Sequence, residues 1–364
     1  MTPSELLQKL MKMMLEVNAS DLHLRPNSKP IIRLNKSLRL ASNFEILSDE
    51  DMGNLIEFIL NDEQLKEFKE THEIDLSFCL RGLSRYRVNA FMQRGLINIV
   101  MRLVPDTIKT IDDIQLPESI KKISMESRGL ILVTGTTGSG KSTTLAAMID
   151  HINSNSSKHI ITIEDPIEFI HKDKKSIVSQ RELDLDTFSF EAALKHIVRQ
   201  DPDVILVGEM RDPKTMATAI TAAETGHLVL STIHTINAMQ TVTRIVDIFP
   251  PHQQNQIRLQ LADSLCAVVS QRLLPRKDNK GMIPAVEILV ATGLIRTMIE
   301  ENTISDIHEQ MEKGAYYGMQ TFNHALELLY KEGHVTLDAA KEYATNPEDL
   351  VLRIKGIKSE SGAQ

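Results

Sequence analysis

The sequence predicts a two-domain α/β protein whose larger domain is a parallel sheet, covered by helices on both faces and equipped with a phosphate-binding loop. Three observations carry this expectation. The chain has 364 residues, more than one hydrophobic core usually serves. From residue 129 onward, near-continuous apolar strand patterns alternate with helical ones, as in a sheet buried on both faces. One glycine-rich octapeptide stands at a strand-to-helix junction.

Taken in order, residues 1–103 read as a mixed α/β module. A helix is expected over 4–17, where Leu6, Leu7, Leu10, Met11, Met14 and Leu15 recur at helical spacing among polar residues. Short strand runs follow at 21–24, 30–34 and 38–41, then one helical stretch over 48–70, opened by Ser48 with Glu50 and Asp51 in its first turn. Strand-like runs at 73–79, 85–92 and 97–103 are separated by the turn signals Arg81-Gly82 and Arg94-Gly95. Residues 104–128, with Pro105 and Pro117, read as a linker with a short helix. The core, 129–293, begins with strands at 130–134, 159–163, 204–207 and 228–232 and helices at 141–153, 189–200 and 213–225. Residues 294–364 read as a helical C-terminal portion, with 359–364 a loose tail.

Composition narrows the function classes. Hydrophobic residues make up 42% and charged residues 25%, ordinary for a globular protein, and no run approaches the roughly 18 apolar residues a membrane span requires. The N-terminal segment is amphipathic without an unbroken apolar stretch, so a cytoplasmic chain is expected. Two cysteines, Cys79 and Cys266, are too few for a disulfide framework or a four-cysteine zinc site. With 41 basic against 49 acidic residues the net charge is −8, Trp is absent and aromatics are 4%, which argues against nucleic acid as the partner.

The chemistry concentrates in four motifs. Gly135-Thr136-Thr137-Gly138-Ser139-Gly140-Lys141-Ser142 fits the P-loop spacing at every fixed position and lies between a strand and a helix pattern. Its glycines let backbone N–H groups converge on one phosphate. Lys141 adds a cation, Ser142 offers a hydroxyl to Mg²⁺, and Thr143 continues into a helix whose dipole favours an anion. Asp203-Val204-Ile205-Leu206-Val207-Gly208-Glu209 supplies an apolar strand ending in an acid, so Glu209 is placed to orient and deprotonate a water. Ile163-Glu164-Asp165-Pro166-Ile167-Glu168 puts acids just past another strand, where Glu164 and Asp165 can hold Mg²⁺ or share the role of base. His227 and His234 bracket a fourth strand; seven residues apart, they are no compact metal pair. His234, at the carboxyl end, is read as a γ-phosphate sensor, and His227 is placed among the nucleotide contacts.

Together these motifs, with Asp201-Pro202-Asp203 and Gly208-Glu209-Met210-Arg211-Asp212, resemble the four signature boxes of the secretion ATPases, the motors of type II and type IV secretion and of pili. Within them the chain is similar to the retraction ATPase family, PilT and PilU. Ala19-Ser20-Asp21-Leu22-His23-Leu24 and the stretch from Arg199 to Asp203 support this. Leu294-Ile295-Arg296-Thr297-Met298-Ile299 is similar to the Ala-Ile-Arg-Asn-Leu-Ile motif of PilT but departs from it at three positions. Gly318-Met319-Gln320-Thr321-Phe322 and Leu352-Arg353-Ile354-Lys355 look closer to PilU, so both a principal and an accessory motor stay open.

The resemblance implies a RecA-like P-loop NTPase core with a smaller N-terminal PAS-like domain. It implies a homo-hexameric ring using ATP and Mg²⁺, peripheral at the inner-membrane pilus machine, where a PilC-like platform protein is the partner and a paralogous retraction ATPase a further one. It also implies arginines that reach the phosphates from the N-terminal domain. Arg87 and Arg102 are the candidates, Arg85 and Arg94 second choices, and Arg211 alternatively forms a hinge ion pair. Competing readings are a pilus assembly or type II secretion ATPase, which commonly adds a longer N-terminal region and a four-cysteine insert; a RecA-like nucleic-acid translocase; and a non-catalytic ring component.

Overall fold

In the computed structural model, which describes residues 2–34, 37–80, 84–105 and 107–357, the chain forms two compact units. The first holds the chain up to Thr107 together with Glu168–Ile170; the second holds Ile108–Ile167 and the chain from His171 onward.

In the first unit, α1 (Pro3–Glu16) starts at a reciprocal cap: the Thr2 hydroxyl accepts the Glu5 N–H and the Glu5 carboxylate accepts the Thr2 N–H. It buries Leu7, Leu10, Met11 and Met14. There follow β1 (Asp21–Leu24), β2 (Ile31–Leu34), β3 (Ser37–Leu40), α2 (Asp49–Ile59), α3 (Asp62–Thr71), β4 (Glu73–Cys79), β5 (Arg85–Gln93) and β6 (Leu96–Leu103). The strands make one antiparallel, PAS-like sheet in the order β3-β2-β1-β6-β5-β4. Leu22, Val88 and Met101 join the helices' Leu7, Leu10 and Leu55 in one core. Alternation along each strand therefore turns Asp21, Arg87 and Arg102 to the opposite face.

The single helix expected over 48–70 is two helices. Asn61 accepts from the Gln64 N–H while Gln64 accepts from the Asn61 N–H, and this second capping box starts α3 afresh. The Arg94-Gly95 turn has φ of 55° and 78°, both positive, as a tight two-residue hairpin requires. Arg81-Gly82 lies outside the described residues, as does the tail 359–364.

The second unit runs α4 (Glu118–Ser124), β7 (Gly129–Thr134), α5 (Lys141–Asn155), β8 (His159–Glu164), β9 (Ile177–Glu182), α6 (Phe190–Ile197), β10 (Val204–Val207), α7 (Pro213–Glu224), β11 (Leu228–Ile233), α8 (Ala238–Asp247), α9 (Pro251–Ser264), β12 (Leu265–Pro275) and β13 (Met282–Val290). The sheet order is β13-β12-β7-β11-β10-β8-β9, parallel throughout except for antiparallel β13. Successive residues of one strand serve different cores: Leu130 and Leu132 belong to one hydrophobic cluster, Ile131 and Val133 to another. That is the two-sided burial expected from apolar runs.

Edge strand β9, whose Ile-Val-Ser-Gln-Arg-Glu carries little apolar pattern, is an addition to the expected elements, as are α8, α9, β12 and β13. The remaining chain forms α10 (Gly293–Glu300), α11 (Ile307–Lys313), α12 (Phe322–Lys331), α13 (Leu337–Glu342) and α14 (Pro347–Ile354). Phe322, Leu326 and Leu350 of these helices pack on Leu274, Ile283 and Ala285 of the last two strands. Among the described residues no helix is long and apolar enough to cross a membrane.

Candidate active site

β7 ends at Thr134, and the backbone then enters conformations open chiefly to glycine. Gly135, Gly138 and Gly140 have φ of 145°, 77° and 92°. A Cβ at Gly135 would also sit 2.4 Å from Ser139 Oγ and 2.6 Å from the Gln271 carbonyl. α5 begins at Lys141 with Gly140 as its N-cap, so no side chain caps the first-turn N–H groups and they point at the space an anion would take. Lys141 Nζ donates to the carbonyls of Gly135 and Thr136, both at 3.0 Å, so the ammonium lies along the loop. Ser139 Oγ is buried without a hydrogen-bond partner among the described residues, whereas Thr136, Thr137 and Gly138 form an exposed rim. Donors clustered around a lysine fit the phosphates of a nucleotide.

Beside the loop opens a cleft of about 410 Å³, whose walls include Gly140, Thr143, Gln271, Arg276 and Met282. Gln271 Nε2 donates to Thr144 Oγ1 at 2.8 Å, tying β12 to the phosphate-loop helix. Gln271 and Arg276 carry no motif, which is why the sequence did not mark them.

β10 is buried along its whole length and is followed by Gly208, where a Cβ would come 3.2 Å from the Ile163 carbonyl of β8. Glu209 follows immediately. Its Oε2 lies 2.8 Å from Arg211 Nη2 and its Oε1 3.3 Å from His234 Nε2. Burial works to raise the Glu209 pKa, but the Arg211 hydrogen bond and the charges of Arg211, His234 and Lys141 outweigh it and hold the carboxyl below its ordinary range. Arg211 is therefore the partner of the candidate base. On β8, Glu164 Oε1 accepts from Thr162 Oγ1 at 2.7 Å and from Gln180 Nε2 at 3.1 Å, while Asp165 is exposed just beyond.

The strand order brings these groups together. β7, β11, β10 and β8 are consecutive and parallel, and their carboxyl ends carry, in the same order, the phosphate loop, His234, Glu209 and Glu164 with Asp165. His227 is not brought there. It precedes the amino end of β11, where its Nδ1 lies 2.9 Å from the Ala222 carbonyl, and the strand separates it from His234 by roughly 20 Å. In this position the ring caps the end of α7 and lies away from the phosphate loop of its own chain.

In the first unit, Arg87 and Arg102 face each other on β5 and β6, and the same rung continues through Asp21 on β1 to Arg33 on β2. Asp21 Oδ1 accepts from Arg102 Nε at 2.8 Å and Oδ2 lies 3.3 Å from Arg33 Nε. Burial raises the Asp21 pKa, and the hydrogen bonds from Arg102 and Ser20 more than reverse it. The sequence did not connect Asp21 and Arg33 with the two arginines, because only strand register places them side by side.

Among the described residues, no three His, Cys, Asp or Glu side chains gather to hold a metal alone. Ser142, Glu164 and Asp165 are oxygen donors of the kind Mg²⁺ takes together with nucleotide phosphates.

Fold and site define a P-loop nucleoside-triphosphatase with a RecA-like sheet. The chain belongs to the family described as Type II/IV secretion system protein, which it matches over residues 3–332. It is 44% identical over 332 residues to the type IV pilus retraction ATPase PilT of Pseudomonas aeruginosa, covering 91% of this chain and 96% of that one. It is 41% identical over 356 residues to the type IV pilus ATPase PilU of the same organism, covering 98% and 93%. A crystal structure of the pilus retraction motor PilT with bound ADP superposes with a TM-score of 0.87 at 43% identity, covering 94% of this chain and 97% of that one.

Proposed function

We propose that this ATPase works as a ring of six copies that couples Mg-ATP hydrolysis to retraction of type IV pili. The observation that carries the chemistry is the run of phosphate loop, His234, Glu209 and Glu164 along the carboxyl ends of four successive strands. Relatives that match nearly the whole chain and are named for pilus retraction support the direction of work.

In this reading the N–H groups of residues 135–143 and the Lys141 ammonium grip the phosphates, and the nucleoside lies in the adjoining cleft. Ser142, Glu164 and Asp165 hold Mg²⁺, which neutralises phosphate charge. Glu209 orients the attacking water and takes its proton, with Arg211 withdrawn as nucleotide enters. His234 reports whether the γ-phosphate is in place. Arg87 and Arg102 neutralise charge that develops on the transferring group. Loss of the γ-phosphate contacts relaxes the subunit, and relaxations taken in turn around the ring move a platform protein of the inner-membrane pilus machine.

Two experiments test this. Lys141→Ala abolishes ATP turnover while the folded chain persists; retained turnover would refute the site. Deleting the gene leaves cells hyperpiliated and unable to twitch, and bald cells would instead assign the protein to pilus assembly. Deletant cells that keep twitching but lose it under load or without a second retraction ATPase would assign it the accessory role.

A further inference from the structure

Glu287, on β13, is only 4% exposed, yet its Oε1 accepts the backbone N–H of Ala238 at 2.9 Å. Burial pushes the pKa of this carboxyl up, and the backbone N–H groups of Ala238 and Phe322 both work against that rise. Ala238 is the first residue of α8 and Phe322 the first of α12, so one buried acid receives the leading N–H of one helix and feels that of a second, far apart in sequence. Each helix N-terminus carries about half a positive charge, and both are directed at the same side chain.

α8 grows directly out of the loop that begins at His234. That loop is tied to the first turn of the helix by side chains: Asn237 Oδ1 accepts the Gln240 N–H, Gln240 Oε1 accepts the Ile236 N–H, and the Thr235 and Thr241 hydroxyls lie 2.6 Å apart. The position of α8 therefore sets the position of His234, which faces Glu209. On the other side, α12 is seated on the same pair of strands. Gln320 exchanges backbone hydrogen bonds with Ile288, and the Arg272 guanidinium lies 3.8 Å over the Phe322 ring.

We propose that Glu287 is a positioning residue, which pins the start of α8 against α12 and thereby holds the His234 loop in register with Glu209. The proposal rests on the reading that His234 serves hydrolysis. It makes the C-terminal helices part of the frame of the active site: what they fix, through one carboxylate, is the histidine.

The test is a double-mutant cycle in the full chain. Glu287→Gln keeps the shape of the side chain but turns an amide donor toward one of the two N–H groups. It is measured alone and with His234→Ala, scoring kcat and KM for Mg-ATP and the thermal midpoint. The expected result is a fall in kcat of about tenfold with KM changed by less than about twofold, and no further fall when His234 is already Ala. An equal loss in both backgrounds, or no loss from Glu287→Gln alone, overturns the proposal. If Glu287→Gln does not fold, Glu287→Asp, one methylene short, enters the same cycle with the same two outcomes. An unchanged kcat in His234→Ala alone overturns the underlying role of His234 and is distinguishable from either.

Discussion

The Glu209 carboxylate is shared between Arg211 and His234, and that sharing governs how the site responds to acid. Its folded-state pKa lies below the ordinary 4.5, so the ionised carboxylate persists as pH falls and is lost only at the lowered value. Arg211→Ala removes the cation with the tightest contact and moves the acid limb of kcat/KM to higher pH; coincident limbs for the two proteins would show that Arg211 does not set this group. Glu209→Gln lowers kcat by roughly 10² to 10⁴-fold while binding of a non-hydrolysable ATP analogue persists, as for any residue acting on the proton in the transition state. His171 offers a pH test of stability. Burial pushes its pKa down to about 4 from 6.5, so folding favours the neutral ring and stability declines as pH drops through that window. His171→Gln flattens the decline by about 3 kcal/mol between the pH extremes, measured by urea unfolding.

At the scale of elements, the phosphate loop depends on backbone more than on side chains. Gly135→Ala introduces a Cβ at positive φ, within 3 Å of both Ser139 Oγ and the Gln271 carbonyl, so the loop must deform. ADP should then cease to raise the thermal midpoint of the variant, whereas it raises that of the unaltered chain; an equal shift in both would show that the loop tolerates the methyl. The α2–α3 break shows how one side chain can override periodicity. The apolar pattern runs on through Leu60, but Asn61 offers its carbonyl to the Gln64 N–H and receives a bond in return. Asn61→Ala should cost about 1 kcal/mol of stability.

At the scale of the whole molecule, the question is which copy each arginine serves. In a ring whose copies complete one another's sites, a Lys141→Ala chain and a chain carrying both Arg87→Ala and Arg102→Ala are each inactive, yet mixed rings contain interfaces with both intact parts. Equimolar mixing should recover roughly a quarter of the unaltered turnover. No recovery would mean that each copy relies on its own arginines. Light scattering of the full chain with Mg-ATP checks the six-copy ring directly.

The features readable from residue order are those that are local in the chain. Loop 135–142, the apolar strand that leads to Glu209 and the acids at the end of β8 were legible because each motif is built from consecutive residues whose spacing is itself the geometry. The apolar runs likewise announced a sheet buried on both faces. Tertiary structure supplied the rest, because strand order and register join residues that no local pattern connects. It brought Gln271 to Thr144, 127 residues away, and Glu287 to Ala238, 49 residues away. It set Arg33 and Asp21 on the rung of Arg87 and Arg102. It also set His227, which the sequence placed among the nucleotide contacts, at the amino end of β11, whereas the phosphate loop lies at the carboxyl ends of the strands.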